Sequence, residues 1–167
     1  GEISQNVRVQ RDDGSSANLR SQGRNWIHDD GLNPYDLIEG RAPEREGEIA
    51  LDRGLLAEAD ASLGDTVKLA TPKGEIEATI VGVTVFGDQD ALDDGGTVFF
   101  DDATAVDLLS DGKGYQKVLV RADDPSSVDS LRDEIVTALP GKQVETREQL
   151  IESNTQMAAA FLDFLRP

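Results

Sequence analysis

Apolar and polar residues alternate with a period of two over much of the first two thirds of the chain, then switch to helical spacing toward its end. Val7-Arg8-Val9 alternates as a short strand and runs into the turn cluster Asp12-Asp13-Gly14-Ser15-Ser16. Asn25-Trp26-Ile27 reads as a second strand, closed by Asp29-Asp30-Gly31 and Asn33-Pro34. Glu48-Ile49-Ala50-Leu51 predicts a strand, and Leu55, Leu56 and Ala59 predict a short helix ending near Leu63-Gly64. Thr66 to Ala70 alternates, Thr71-Pro72-Lys73-Gly74 carries turn chemistry, and Glu75 to Phe86 is long enough to make a hairpin with it. Inside that long strand the apolar phase changes. Ile76, Ala78 and Ile80 share one face and Val81, Val83 and Val85 the other, which predicts a bulge beside Gly82 or a strand serving two sheets.

The segment 87–96 (GDQDALDDGG) reads as a loop, followed by the strand Thr97-Val98-Phe99-Phe100. Asp101 or Asp102 can then cap a short helix through Leu109. Gln116 to Arg121 is a further expected strand. Asp124-Pro125 opens a helix whose apolar side is Val128, Leu131, Ile135 and Leu139, and Pro140-Gly141 stops it. Gln143-Val144-Glu145 reads as a short strand. Thr146 with Gln149 forms a capping box for a last helix that grows more apolar through Met157, Phe161, Phe164 and Leu165. No internal repeat is visible. The elements together predict an α+β fold.

Composition narrows the functional classes. The chain has 33 acidic against 16 basic residues, a net charge of −17, and that field repels a phosphate backbone. Nucleic acid is therefore excluded as a partner. There is no cysteine, hence neither a disulfide framework nor thiolate chemistry. No stretch reaches the ~18 apolar residues of a membrane span, and the opening Gly1-Glu2-Ile3-Ser4-Gln5 lacks the features of a secretory signal.

Candidate chemistry is sparse. The one histidine, His28, sits in a polar turn beside Asp29 and Asp30, and no Gly-x-Ser-x-Gly elbow accompanies it. No phosphate-cradling pattern occurs; Gly112-Lys113-Gly114 alone is a turn. The expectation is no catalytic residue and no cofactor. For a metal the expectation is also none, the weak candidates being Asp88, Asp90, Asp93 and Asp94, whose oxygens could converge on a calcium ion. They do not make an EF-hand, since Leu92, Asp93 and Phe99 stand where that loop needs a ligand, a glycine and a glutamate.

Four segments, taken in order, carry a resemblance: Leu37-Ile38-Glu39-Gly40-Arg41-Ala42-Pro43, Gly47-Glu48-Ile49-Ala50-Leu51, Leu63-Gly64-Asp65-Thr66-Val67 and Ala78-Thr79-Ile80-Val81-Gly82-Val83. Their order and spacing resemble the extracytoplasmic domain of MacB/FtsX-type ABC-transporter permeases over roughly residues 30–167. Val118 to Ala122, the helix from Pro125, Val144 and the rising apolar helix resemble that domain's second half.

The resemblance implies a mixed porter-like lobe, residues 1–36 and 116–167, flanking an inserted β-rich lobe, residues 37–115. The family's porter lobe usually opens with a further strand and helix, where this chain has Val7-Arg8-Val9 and turns. It implies a place on the extracytoplasmic side of the cell membrane, between spans of its own permease. The ATPase is then a separate cytoplasmic subunit or domain, and a second permease copy and an extracytoplasmic substrate or protein are further partners. The implied work is to couple motion of the spans to substrate handling or partner engagement, with Met157, Phe161, Phe164 and Leu165 as a membrane-proximal stalk. The competing classes are a free-standing secreted binding module and a carboxylate-dependent hydrolase.

Overall fold

The computed structural model describes residues 1–10, 21–91, 96–110, 112 and 114–149. The chain divides into two compact units, Gly1–Leu119 and Val120–Pro167.

Among the described residues the first unit holds seven strands and two helices: β1 (Ser4–Gln10), β2 (Ser21–Asn25), β3 (Asp36–Gly40), β4 (Glu48–Asp52), α1 (Arg53–Glu58), β5 (Thr66–Thr71), β6 (Gly74–Val85), β7 (Thr97–Phe100) and α2 (Asp102–Leu109). Six of the strands close on themselves. β6 pairs with β4 in parallel, β4 with β7 antiparallel, and β7 with β2 in parallel. β2 then pairs with β1, β1 with β5, and β5 returns to β6, all antiparallel. β3 stands outside this ring, antiparallel to the last four residues of β6. Closure removes the exposed edges that an open sheet would leave.

The interior of the ring is apolar. Val7 and Val9 of β1, Ile49 and Leu51 of β4, Val67 and Leu69 of β5, Ala78 and Ile80 of β6, and Val98 and Phe100 of β7 belong to one buried cluster. The valine, leucine, isoleucine and phenylalanine side chains contribute ~1.5–3 kcal/mol each when fully removed from water. β2 supplies a glycine instead. A Cβ on Gly23 would stand 2.8 Å from Val7 Cγ1 and 3.1 Å from both Leu109 and Phe100, so the core closes only over a bare backbone. Leu55 of α1 and Leu109 of α2 complete the cluster. Because β4 and β7 are antiparallel, the helices that follow them cover opposite mouths of the ring. A second, smaller cluster (Trp26, Tyr35, Ala50 and Phe99) packs Trp26 and Tyr35 edge-on against Phe99 at 5.3 and 4.7 Å between ring centroids.

The pairings also repeat about an approximate two-fold axis. The parallel pair β4–β6 corresponds to β7–β2, and the antiparallel pair β6–β5 to β2–β1. The axis passes between β4 and β7 on one side, and between β5 and β1 on the other. Each of β4 and β7 hands over to its helix through a capping aspartate, Asp52 and Asp101. No repeat is visible in the sequence because the two halves share pairing and caps rather than side chains.

Most expected elements are present, and the exceptions have physical reasons. The phase change in β6 is a bulge: Ile80 pairs with Ile49 but Gly82 with Ala50, leaving Val81 as the extra residue. That insertion brings Val83 level with Leu51. The second strand lies at Ser21–Asn25 instead of 25–27, with Trp26 adding one further backbone bond, to Phe100 O at 2.8 Å. β3 has no signature in the sequence, since all five of its residues are exposed and no alternation marks it. Residues 116–121 form no strand; only Lys117 makes a bridge, to Glu2. β1 lies between β2 and β5 in the ladder.

In the second unit, Asp124 caps a 3-10 turn (Pro125–Ser127) by accepting from Ser126 N at 2.9 Å, and α3 (Val128–Ala138) follows. Val128, Leu131 and Ile135 are half-buried, and Leu139 lies past the helix end, exposed. Residues 143–145 carry no ladder. The capping box is present in both directions: Gln149 N donates to Thr146 Oγ1 at 3.3 Å and Thr146 N to Gln149 Oε1 at 3.0 Å. Among the described residues no helix is long and apolar enough to cross a membrane.

Candidate functional site

The four segments that carry the family resemblance converge on the bulge of β6. Gly40 ends β3 with φ +72°, and a Cβ there would lie 2.2 Å from Val81 O. Its neighbour Arg41 donates its backbone N–H to that same Val81 oxygen at 2.9 Å. A Cβ on Gly82 would meet Arg41 O at 2.3 Å, so each glycine makes room for the other strand. Thr79 N donates to Gly47 O at 2.8 Å, Gly64 N to Ile80 O at 2.8 Å, and Ile80 N to Asp65 O at 2.9 Å. These residues therefore serve the backbone crossing.

Electrostatics reinforces that crossing. The Glu48 carboxylate is buried, with a side chain 6% exposed, and accepts from Arg41, from Arg45 Nε at 2.8 Å and from Glu44 N at 3.2 Å. The Arg41 hydrogen bonds hold its pKa down at about 2. The same contact raises that of the Arg41 guanidinium.

A second constellation forms where the chain enters and leaves the ring. Glu2 N donates to Lys117 O at 2.8 Å, while Gln116 N and Lys117 N donate to Glu2 O at 2.9 and 3.2 Å. Gln116 Nε2 donates to Ser4 O at 2.8 Å. Behind this bridge stands Asn25, buried at the end of β2. Its Oδ1 accepts from Ile3 N at 2.9 Å, and its Nδ2 donates to Gly1 O and to Asp102 Oδ1, both at 2.9 Å. The Tyr115 hydroxyl donates to Asp102 Oδ2, which raises the pKa of the phenol. Arg24 and Glu2 add an ion pair at 3.2 Å. Residues 1–4 and 115–117 are thus clamped side by side through β2 and the first turn of α2.

Sequence reading missed this clamp. Its partners lie from 13 residues apart, Asp102 and Tyr115, to 115 apart, Glu2 and Lys117, and no local pattern joins them. The one available signal is Asn25, a polar residue beside the strongly apolar Trp26.

The residues singled out from sequence are not gathered into one place. His28 is exposed. Asp29 is a turn residue that accepts from Gly31 N at 2.9 Å. Asp88 is exposed in a tight turn closed by Phe86 and Gln89, whose backbone groups exchange two bonds of 3.0 Å. Asp90 pairs with Arg53, and its carbonyl accepts from Gly54 N at 3.1 Å, which ties the turn to the start of α1. Asp93 and Asp94 lie outside the described residues, as do Met157, Phe161, Phe164 and Leu165. Among the described residues no three carboxylate or histidine side chains are grouped to hold a metal ion.

Compared with known proteins, residues 3–138 match the family model described as the MacB-like periplasmic core domain. No curated protein matches the chain.

Proposed function

We propose a mechanical role from one premise: the chain belongs to the family of MacB-like periplasmic core domains. It is accordingly an extracytoplasmic domain of the ABC-transporter permease type, in which ATP is handled by a separate subunit or domain. Our reading is that the ring moves as one body and couples motion of the permease's membrane spans to substrate handling or partner engagement outside the membrane. Met157, Phe161, Phe164 and Leu165 are the proposed stalk on which that motion travels.

One observation carries the reading. The chain enters and leaves the ring through a single clamp, Glu2 against Lys117, backed by Asn25, Asp102 and Tyr115. Forces arriving along residues 1–4 and 115–117 reach the same point of a closed, densely packed body, and such bodies transmit displacement rather than absorbing it. Residues of the shared segments hold the strands in register at the other crossing, which suits a part whose work depends on stiffness.

The test uses the full-length permease with its ATPase. Glu2→Cys with Lys117→Cys introduces a disulfide across a directly paired position, where the ~5.5 Å Cα separation of a hydrogen-bonded pair suits that bond. Locking the clamp is expected to leave transport intact. Asn25→Ala with Tyr115→Phe, which loosens it, is expected to reduce transport while ATP binding persists. Transport abolished by the lock, or untouched by the loosening, overturns the reading.

A further inference from the structure

We infer that β3 is a docking edge for an extended, lysine- or arginine-bearing apolar segment of another protein. Among the described residues β3 pairs only with β6, and all five of its residues are exposed. Its free edge offers unpaired backbone groups, the template on which an added strand forms main-chain hydrogen bonds.

Two aspects of its side chains go beyond what an outer strand needs. Leu37 rests on Gly82, but it remains 37% exposed, and Ile38 is 47% exposed. Ile38 is the residue without a counterpart where the β3–β6 register shifts between Leu37 and Glu39. Leu63, 37% exposed, lies over the end of the strand, its Cδ1 3.0 Å from where a Gly40 Cβ would stand. Three large apolar side chains thus surround one short edge, as interaction surfaces do.

Charge selects the occupant. Asp36 and Glu39 flank Leu37 and Ile38 directly, on a chain of net charge −17. Acidic residues on an edge reject acidic strands, including a second copy of this chain, which would set like charges against each other. The same carboxylates favour a strand with lysine or arginine beside its apolar positions, so repulsion and attraction both point to a cationic partner. This surface is independent of the clamp.

The probes are two short peptides, one alternating lysine with valine and one alternating glutamate with valine, titrated into the chain at physiological salt and followed by backbone amide shifts. The lysine peptide is expected to perturb Asp36–Gly40 and Leu63. Ile38→Ser is expected to weaken it by about tenfold without changing the fold. Asp36→Lys with Glu39→Lys is expected to transfer binding to the glutamate peptide. Shifts scattered over the whole acidic surface, binding unchanged in Ile38→Ser, or self-association through β3 would each overturn the proposal.

Discussion

Arg41 grips Glu48 with both terminal nitrogens, and so joins the segment that leaves β3 to the first residue of β4. Glu48 is nearly inaccessible, whereas Arg41 remains half-exposed. The pairing explains why Gly40-Arg41-Ala42-Pro43 and Gly47-Glu48-Ile49 occur together: a buried carboxylate at the start of a strand needs a cation within reach.

The pair sets an acid limit on stability. Glu48 ionises at about 2 in the folded chain, against an ordinary glutamate value of 4.5. Between those values the unfolded chain binds the proton first, so acidification favours unfolding. The contribution is complete above pH 4.5 and is lost as pH falls through about 2. Urea unfolding of the parent and of Glu48→Gln at a series of pH values checks this. The parent's advantage is expected to shrink steadily over that window and stay constant above it.

Gly82 and Gly47 separate crowding from backbone preference. Gly82→Ala drives a methyl to 2.3 Å from Arg41 O, and the opposing backbone has to move. Overpacking of that kind costs ~1–3 kcal/mol. Gly47 has φ +79° with nothing near its Cβ position, so Gly47→Ala carries only the left-handed penalty of ~1 kcal/mol. Thermal unfolding should rank Gly82→Ala as the more damaging, with strand pairing between β3 and β6 perturbed in that variant alone.

How much of this was legible depended on the range of the contacts. The β5–β6 hairpin, the caps at Asp101 and Thr146 and the bulge beside Gly82 lie within local patterns, and each is present. Closure of the ring was not legible, because β1 meets β5 across about sixty residues and no periodicity encodes a pairing at that distance. β3 escaped because it is held by Gly40 and Gly82 through close backbone approach instead of a buried face. Residues 116–121 have strand composition, yet composition makes a strand only where a partner ladder exists, and only Lys117 has one.

The two capping aspartates differ in a way that unfolding can resolve. Asp52 Oδ1 accepts from Leu55 N at 2.7 Å, and its Oδ2 accepts from Thr97 N, the first residue of β7. Asp101 caps its own helix through Oδ1, at 3.1 Å from both Ala103 N and Thr104 N. Asp101→Ala should cost ~1 kcal/mol, as lost caps do. Asp52→Ala should cost more, since leaving a second buried N–H without a partner adds ~1–3 kcal/mol. Equal losses on denaturant titration would mean that the link from Asp52 to β7 contributes nothing.

The proposed stalk is tested by Ala159→Pro in the full-length permease. Proline inside a helix removes a hydrogen bond and costs ~3 kcal/mol locally. Transport or partner activation is expected to fall while ATP binding is unchanged, and the isolated chain should unfold at the parent's temperature. A collapse of the isolated chain's stability would instead assign Phe161 and Leu165 to its core.

The clamp leaves a signature at the alkaline end. Tyr115 donates its proton to Asp102, so ionising the phenol breaks that bond and sets two anions against each other, which is why its pKa lies above the ordinary value of 10.0. A raised folded value means the contribution is fully present below pH 10 and disappears as pH rises through the folded pKa. Tyr115→Phe removes the hydroxyl but keeps the ring. At neutral pH the variant is expected to be less stable by ~1 kcal/mol, the net worth of a hydrogen bond to a charged acceptor on a half-exposed site. Above pH 10 the two proteins should converge. Hydrogen exchange adds the spatial test. Glu2, Gln116 and Lys117 lose protection in Tyr115→Phe if the hydroxyl holds the clamp shut, whereas Leu51 and Leu69, inside the ring, keep theirs. Protection lost evenly across the ring would mean that Tyr115 supports the fold as a whole, and the clamp would then have no separate mechanical identity.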